Sequence, residues 1–213
     1  MSGDESFSFE HRNMIDVLLQ YGIRNERILA AMKRVKRHHF IPERFAGSDN
    51  PYGNHPCHIG HGQTISQPYI VAYMSELLNP GPEDKILEIG AGSGYQTAIL
   101  AELGATVYSI EVVPELADHA KTVLAGKDYE NAFVIHGDGY NGHEKEAPYD
   151  FIIGTCAPES VPERLVDQLK IGGKMIIPVG SFFQSIEIIS KGESGIVRKR
   201  DIGVRFVPMV HAD

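Results

Sequence analysis

The chain contains no tryptophan, only two cysteines and no long apolar run. Cys57 and Cys156 lie far apart and show no paired metal-ligand spacing, and so few cysteines fit a reducing compartment. The apolar runs are well short of the ~20 residues that a membrane-spanning helix needs. The N-terminus carries Asp4 and Glu5 without a basic start or an apolar core, so no secretory signal is predicted. These absences favour a cytoplasmic protein.

The chain also lacks an excess of basic residues. It has 20 Lys and Arg against 28 Asp and Glu, for a formal charge of -8, and no block of five like charges. Binding to nucleic acid phosphates generally requires clustered basic residues, so no nucleic acid partner is predicted. A length of 213 residues, with 42% hydrophobic and 23% charged residues, fits one globular domain.

Hydrophobic periodicity separates a helical leader from the rest of the chain. Apolar residues at helical spacing predict a helix around Met14–Leu19 that Gly22 ends, and a second helix over Asn25–Lys36. Residues 42–62 are rich in proline, glycine and histidine, which predicts a long loop of functional importance. A helix with Ser66 as its N-cap follows this loop.

The remaining sequence alternates between strands and helices, which predicts an α/β fold with a mostly parallel sheet covered by helices on both faces. The predicted strands are Lys85–Ile89, Thr106–Ile110, Ala132–Ile135, Phe151–Ile153 and Met175–Val179, and the predicted helices are Tyr95–Leu103, Pro114–Ala125 and Pro162–Leu169. Left-handed caps are expected at Gly104, Gly126 and Gly172. An antiparallel pair, Ser185–Ser190 and Ile196–Val207, closes one edge.

These elements are assigned to a single domain, 1–213. Within it, residues 1–63 form the helical leader and an active-site loop, and residues 64–213 form the α/β core.

A glycine turn stands between the first strand of the core and its helix, in the sequence LEIGAGSGY from Leu87 to Tyr95. Such a turn lets the backbone approach a ligand at the carboxyl edge of the sheet. A dinucleotide-binding turn would have its third glycine at position 95, so the geometry that holds a pyrophosphate is not expected. Glu88, two residues before the first glycine, would repel phosphates and suits a ligand with cationic groups.

Acidic residues also end the next two strands. Glu111 is placed to accept both hydroxyls of a ribose, and Asp138 to reach an adenine amino group. A single strand-end acid is usually a solvated surface residue, but three acids with a glycine turn indicate a phosphate-free nucleoside with a cationic tail. S-adenosylmethionine has this chemistry, and the pattern resembles the seven-strand methyltransferases that use it. The cofactor-binding residues predicted here are Glu88, Gly90, Ala91, Gly92, Gly94, Glu111, Asp138 and Gly139.

Longer motifs narrow the resemblance to one family. They are GHGQTISQP at Gly60–Pro68, LEIGAGSGYQTA at Leu87–Ala98, HGDG at His136–Gly139 and RFVP at Arg205–Pro208. Together they closely resemble the protein-L-isoaspartate O-methyltransferase family, over about Val17 to Val210. The Thr64–Ser66 segment and the terminal RFVP are specific to that family, whereas the glycine turn is common to the whole class.

The resemblance implies a Rossmann-like fold and methyl transfer from S-adenosyl-L-methionine to the free α-carboxylate of L-isoaspartyl residues in damaged proteins. The methyl ester re-forms a succinimide, and S-adenosyl-L-homocysteine is the product. The resemblance implies that Ser66 is the catalytic residue, that Thr64 and Ile65 contact the methyl donor, and that the peptide is bound by Gln67, Arg205, Phe206, Val207 and Pro208. No metal is expected. From the local sequence alone, Ser66 could instead only cap a helix, and RFVP could be an ordinary closing strand.

Three alternatives stay open at this point. Cys57, His58 and His61 could be ligands of a metal ion, although the interleaved prolines and glycines argue against it and favour a loop that closes over the site. The chain could methylate a small molecule or a nucleic acid, or it could bind the methyl donor without catalysis.

A monomer acting on isoaspartyl proteins is the prediction. The pair Asn141-Gly142 is prone to deamidation, so the enzyme could damage itself.

Overall fold

The structure is a computed structural model that describes residues 7–45, 47 and 49–212. Its α-helices are α1 (Ser8–Gln20), α2 (Glu26–Arg34), α3 (Pro68–Leu78), α4 (Tyr95–Glu102), α5 (Pro114–Ala125) and α6 (Glu163–Gln168). Its strands are β1 (Cys57–Gly60), β2 (Gln63–Ile65), β3 (Lys85–Ile89), β4 (Thr106–Glu111), β5 (Ala132–His136), β6 (Tyr149–Gly154), β7 (Leu169–Val179), β8 (Gln184–Gly192) and β9 (Gly195–Val204).

The main sheet has seven strands in the order β5-β4-β3-β6-β7-β8-β9. The pairings from β5 to β7 are parallel, and those of β7 with β8 and of β8 with β9 are antiparallel. The predicted α/β fold class is therefore confirmed. The chain runs from β3 to β4 and β5 on one side and continues from β6 on the other, so the strand order reverses between β3 and β6. Ligands of such sheets bind at that crevice, beyond the carboxyl ends of the strands.

The leader packs directly beneath this crevice. Leu18 of α1 and Met32 of α2 are fully buried in the same apolar cluster as Tyr95 and Ile99, which belong to the helix after the glycine turn. Burial of aliphatic and aromatic side chains contributes roughly 1.5–3 kcal/mol each. The leader is thus part of the core that supports the site.

The predicted loop over residues 42–62 is partly wrong, because β1 and β2 pair as an antiparallel hairpin. Cys57 and Ile59 are buried on alternate positions of β1, and Ile65 of β2 is buried with them. His61 and Gly62 have positive φ angles of 52° and 70° and form the turn. The two short strands were not predicted because glycine-rich segments flank them.

Two smaller predictions also need correction. Gly126 has a φ of -69°, and the left-handed residue after α5 is Asp128, with a φ of 59°. Strand β9 ends at Val204, so residues 205–208 run past the sheet and touch the loop after β6 through a bridge between Ala157 and Pro208. Within the described residues, the helices are all too short or too polar to cross a membrane.

Candidate active site

A cavity opens at the carboxyl ends of β3, β4 and β6, where the sheet order reverses. Most of the residues predicted to hold a cofactor line it: Thr64, Ile65, Gly90, Ala91, Gly92, Glu111 and Gly139. Ser66 lines it as well. The fold thus brings the hairpin, the glycine turn and the tip of β4 together around one space.

The glycine turn is held against two neighbouring strands. The amides of Gly90 and Ala91 both donate to the carbonyl oxygen of Ile110, at 2.8 and 3.0 Å. Gly90 has a φ of 95°, and a Cβ there would lie 2.6 Å from Oγ1 of Thr155. Position 90 therefore requires glycine for both its conformation and its space, and the backbone itself forms the cavity wall.

Glu111 is the charged group of this cavity wall. It is 5% exposed, and its carboxylate accepts hydrogen bonds from the amides of Gly92, at 2.7 Å, and Val113, at 3.0 Å. These two bonds fix the carboxylate while leaving further lone pairs that can accept from a ligand. A fixed anion at this position favours a ligand with hydroxyl donors and disfavours a phosphate.

Glu88 is placed differently from Glu111. Its side chain is 0% exposed, and the carboxylate accepts from the hydroxyls of Thr97, at 2.5 Å, and Ser109. Burial raises the pKa of Glu88 to about 7, although both hydroxyl bonds act in the opposite direction and the nearby charge of Glu111 adds to the rise. Because successive side chains alternate across a strand, Glu88 lies beneath the cavity and Ile89 lines it.

Gly94 and Asp138 also do not line the cavity. A Cβ at Gly94 would be 3.3 Å from Cβ of Ala120, so this glycine serves the packing of α4 on α5. Asp138 accepts from the amide of Tyr140, at 2.8 Å, and bonds Nδ1 of His211 at 2.9 Å. Burial alone would raise the pKa of Asp138, but these two bonds, together with the charge of His211 and a bond from the backbone of Ala212, lower it.

The prediction that Ser66 caps a helix is wrong. The N-cap of α3 is Gln67, which makes no capping bond with its side chain. Asn54 of the preceding loop performs this task, since its Oδ1 accepts from the amide of Tyr69 at 3.0 Å. The hydroxyl of Ser66 is thus not used to cap α3.

Arg37 is a residue of the site that the sequence analysis missed. It is 0% exposed, and its guanidinium donates to the carbonyl oxygens of Pro51, at 2.6 Å, Ser66, at 2.7 Å, and His55, at 3.3 Å. It also lies over the ring of Tyr95, 5.4 Å from the centroid. Burial lowers the pKa of Arg37. In the sequence Arg37 directly follows the predicted helix Asn25–Lys36. A basic residue at the end of a helix is normally exposed to solvent, so nothing in the sequence indicated its burial.

A groove adjoins the cavity on the side of the hairpin. All the residues predicted to bind the peptide line it: Gln67, Arg205, Phe206, Val207 and Pro208. Five residues line both the groove and the cavity: Thr64, Ser66, Thr155, Val207 and Pro208. The groove also has aromatic walls that the sequence analysis did not identify, from Tyr21, Phe182 and Phe183.

Cys57 and His58 of the possible metal cluster lie on β1, and His61 lies in the turn that follows. His55 Nδ1 lies 3.0 Å from the carbonyl oxygen of Pro56, and Cys57 is buried with its Sγ 3.7 Å from Nη2 of Arg37. Over residues 7–45, 47 and 49–212, no three side chains of the metal-binding types are grouped so that they could hold an ion.

Comparison with known proteins identifies the family. The family model described as protein-L-isoaspartate(D-aspartate) O-methyltransferase matches residues 9–213. The chain belongs to this family. Similar curated members, each called protein-L-isoaspartate O-methyltransferase, come from Gloeobacter violaceus, at 46% identity over 92% of this chain and 96% of that one, and from Methanoregula boonei, at 47% identity over 95% and 94%.

Solved structures of the isoaspartate methyltransferase family share the fold. One called protein-L-isoaspartate O-methyltransferase superposes with a TM-score of 0.84 at 27% identity, over 93% of this chain and 65% of that one. Another, from Plasmodium falciparum in complex with S-adenosyl-L-homocysteine, has a TM-score of 0.83 at 28% identity, over 94% and 98%. The predicted family, reaction and methyl donor are therefore confirmed.

The cavity of this isoaspartate methyltransferase fits its methyl donor. Glu111 offers fixed acceptors for ribose hydroxyls, and at positions 90 and 92 the cavity wall is glycine backbone. Among the described residues that line the cavity, Glu111 is the only charged one, which suits a ligand without phosphate.

Proposed function

We propose that methyl transfer takes place where the cavity and the groove meet, with the methyl donor in the cavity and the isoaspartyl peptide in the groove. The observation that carries this proposal is the set of five residues common to both spaces, with Ser66 among them. A carboxylate in the groove and a methyl group in the cavity would approach each other there.

Glu111 and the backbone from Gly90 to Gly92 would hold the nucleoside part of S-adenosylmethionine, and Thr64 and Ile65 would cover it from the hairpin. When bound, the donor supplies a methyl group on a sulfonium, which is already electrophilic. Glu88 would act indirectly, since its bonds to Thr97 and Ser109 join β3, β4 and α4 below the turn.

Ser66 would hydrogen-bond the acceptor carboxylate and orient one of its oxygens. A carboxyl group with a pKa near ~4 is ionised at neutral pH, so the reaction needs no general base. Catalysis then depends on alignment and on the exclusion of water, which can contribute ~7–11 kcal/mol. This role is supported by the observation that the hydroxyl of Ser66 does not cap α3.

The substrate-side residues would be Gln67 and the segment Arg205–Pro208, since all of them line the groove. We also propose that residues 1–213 act as a single monomeric domain without a nucleic acid partner, on the basis of the charge of -8. The presence of only two cysteines in 213 residues supports the proposal of a cytoplasmic location.

The test is methylation of two peptides that differ only in the linkage of one aspartyl residue. With a labelled methyl donor, the isoaspartyl peptide should become labelled and the normal aspartyl peptide should not. Base-labile release of the label as methanol would show that a carboxyl ester has formed.

Each other outcome supports a competing function. Equal labelling of both peptides would indicate a less selective carboxyl methyltransferase. No labelling of either, combined with binding of S-adenosylhomocysteine in calorimetry, would indicate a protein that binds the methyl donor without catalysing this transfer.

A further inference from the structure

Two adjacent phenylalanines stand almost completely in solvent at the mouth of the groove. Phe182 is 99% exposed and Phe183 is 96% exposed. Among the described large apolar residues, the next most exposed phenylalanine is Phe9, at 71%. Neighbouring exposed aromatic side chains are unfavourable in water unless a partner covers them, and such patches mark interaction sites.

The turn that presents these rings is well fixed. The amide of Gly180 donates to the carbonyl oxygen of Pro158 at 2.9 Å. Gly180 has a φ of 123°, and a Cβ there would lie 2.2 Å from the carbonyl oxygen of Phe183. The close return of the chain at this point therefore requires glycine, and it directs the pair outward from the end of β7.

The same turn is tied to the segment predicted to bind the peptide. The side chain of Gln184 accepts from the amide of Phe206 at 2.6 Å and donates to its carbonyl oxygen at 3.1 Å. These two hydrogen bonds hold the two walls of the groove in register. Across the groove stand Tyr21 and Tyr69, whose ring centroids are 5.0 Å apart.

We propose that Phe182 and Phe183 bind apolar side chains that flank the isoaspartyl residue of the substrate. This inference rests on the proposed function, because it takes the groove as the peptide site. The occupant is a polypeptide segment, since the groove is continuous with the space around Ser66 where the carboxylate would react. Damaged proteins expose apolar side chains on unfolding, so an aromatic clamp would select such segments.

The charge of the groove fits the same occupant. Arg205 is the one charged side chain among the described residues that line it, in a chain with a net charge of -8. A single cation among aromatic walls suits an anionic isoaspartyl group with apolar neighbours, and it disfavours a polyanion such as nucleic acid.

The experiment compares isoaspartyl peptides built on a glycine and serine host. One leucine is moved through successive positions on either side of the isoaspartyl residue, and KM and kcat are measured for each peptide. With the unchanged enzyme, leucine at one or more positions should lower KM by about 5–10-fold relative to the host. In the double variant Phe182→Ser, Phe183→Ser this gain should disappear, so that the leucine peptides have the same KM as the host peptide.

Two further variants control for nonspecific effects. Phe182→Leu, Phe183→Leu should retain most of the gain, because the apolar surface is kept. Phe9→Ser changes another exposed phenylalanine, on α1, and should leave all peptides unaffected. Anisotropy of a labelled leucine peptide with S-adenosylhomocysteine present should show the same loss of affinity in the serine double variant.

The results that contradict the proposal are distinct from failure of the reaction itself. A leucine gain that survives in the serine double variant would overturn it, and so would an equal loss for host and leucine peptides. Absence of methylation of every isoaspartyl peptide by the unchanged enzyme would instead overturn the proposed function, and this inference with it.

Discussion

The guanidinium of Arg37 donates a hydrogen bond from Nη1 to the carbonyl oxygen of Ser66, over 2.7 Å. The same group donates to the carbonyl oxygens of Pro51 and His55. One fully buried cation from the leader thus ties three points of the segment that leads to the reaction site. Its partners are neutral carbonyls, so its main effect is to fix the backbone on which the Ser66 hydroxyl is carried.

Replacement of Arg37 by methionine should destabilise the fold and slow the reaction. The change removes the donors and leaves buried carbonyl oxygens unpaired, which should lower the free energy of unfolding by about 3 kcal/mol. It should also lower kcat, because Ser66 loses its fixed position. Urea denaturation and steady-state kinetics measure the two effects.

The matched control for this change is Arg34→Met. Arg34 is exposed and pairs with Glu102 at the surface, so its loss should change the free energy of unfolding by less than ~1 kcal/mol. Equal effects of the two substitutions would show that the bonds of Arg37 to the carbonyls have no special importance.

Ser66→Ala should affect turnover without affecting stability. Loss of one hydrogen bond to a carboxylate costs about 1.5–3 kcal/mol, so kcat/KM should fall by about 10–150-fold. Since Ser66 does not cap α3, the free energy of unfolding should change by less than ~0.5 kcal/mol. Calorimetry should show unchanged binding of S-adenosylhomocysteine.

Asn54→Ala serves as the structural counterpart to the serine variant. It removes the side chain that accepts from the amide of Tyr69 at the start of α3, and the loss of such a cap costs about 1 kcal/mol. If Ser66→Ala instead destabilised the protein as Asn54→Ala does, and left turnover unchanged, its catalytic role would be rejected.

The regular parts of the fold were predictable because local sequence determines them. The predicted bounds of Lys85–Ile89 and Pro114–Ala125 agree with β3 and α5, since the first is a short apolar run and the second has apolar residues at helical spacing. The hairpin Cys57–Ile65 was not predicted, because two short strands among glycines and histidines carry too few apolar positions to show a period.

The site was predictable where function depends on the backbone and less so where it depends on the direction of side chains. The glycine turn and Glu111 line the cavity, as their motif indicated. Glu88, like Glu111, is a glutamate near the end of a strand. The alternation of side chains along β3 alone decides that Glu88 faces Thr97 and Ser109 and does not line the cavity. Arg37 was missed because its partners are distant carbonyls that no sequence pattern specifies.

Glu88→Gln should change the pH dependence of stability. The pKa of Glu88 is raised from 4.5 to about 7 by burial, so the fold favours the protonated carboxyl. That contribution is fully present below pH 4.5 and is lost as the pH rises through about 7. The loss amounts to about 3 kcal/mol, and a neutral amide would not suffer it.

Urea denaturation of both proteins at pH 5 and at pH 8 measures this effect. The free energy of unfolding of Glu88→Gln, relative to the unchanged protein, should increase with pH by most of that amount. Its affinity for S-adenosylhomocysteine should change by less than about 2-fold, because Glu88 does not line the cavity. A stability difference that is the same at both pH values would contradict the assignment of a raised pKa to Glu88.

The pair Asn141-Gly142 should resist deamidation in the folded enzyme. Succinimide formation requires the amide nitrogen of Gly142 to attack the side-chain carbonyl of Asn141. In the structure that amide donates to the carbonyl oxygen of Gly139 at 3.1 Å, and Oδ1 of Asn141 accepts from Arg164 at 2.5 Å. The attacking amide is thus engaged, and Gln168 holds the segment by donating to the carbonyl oxygen of Asn141 at 2.8 Å.

Gln168→Ala should therefore accelerate isoaspartate formation at position 141. Gln168 also accepts from the amide of His143 at 2.8 Å, so its loss frees the backbone on both sides of Gly142. Loss of these two bonds should raise the rate by about 10-fold, measured by peptide mapping after prolonged incubation without a methyl donor, so that no self-repair occurs. Arg164→Ala, which removes an exposed partner, should have a smaller effect. Equal rates in Gln168→Ala and the unchanged enzyme would show that local backbone restraint does not protect this pair.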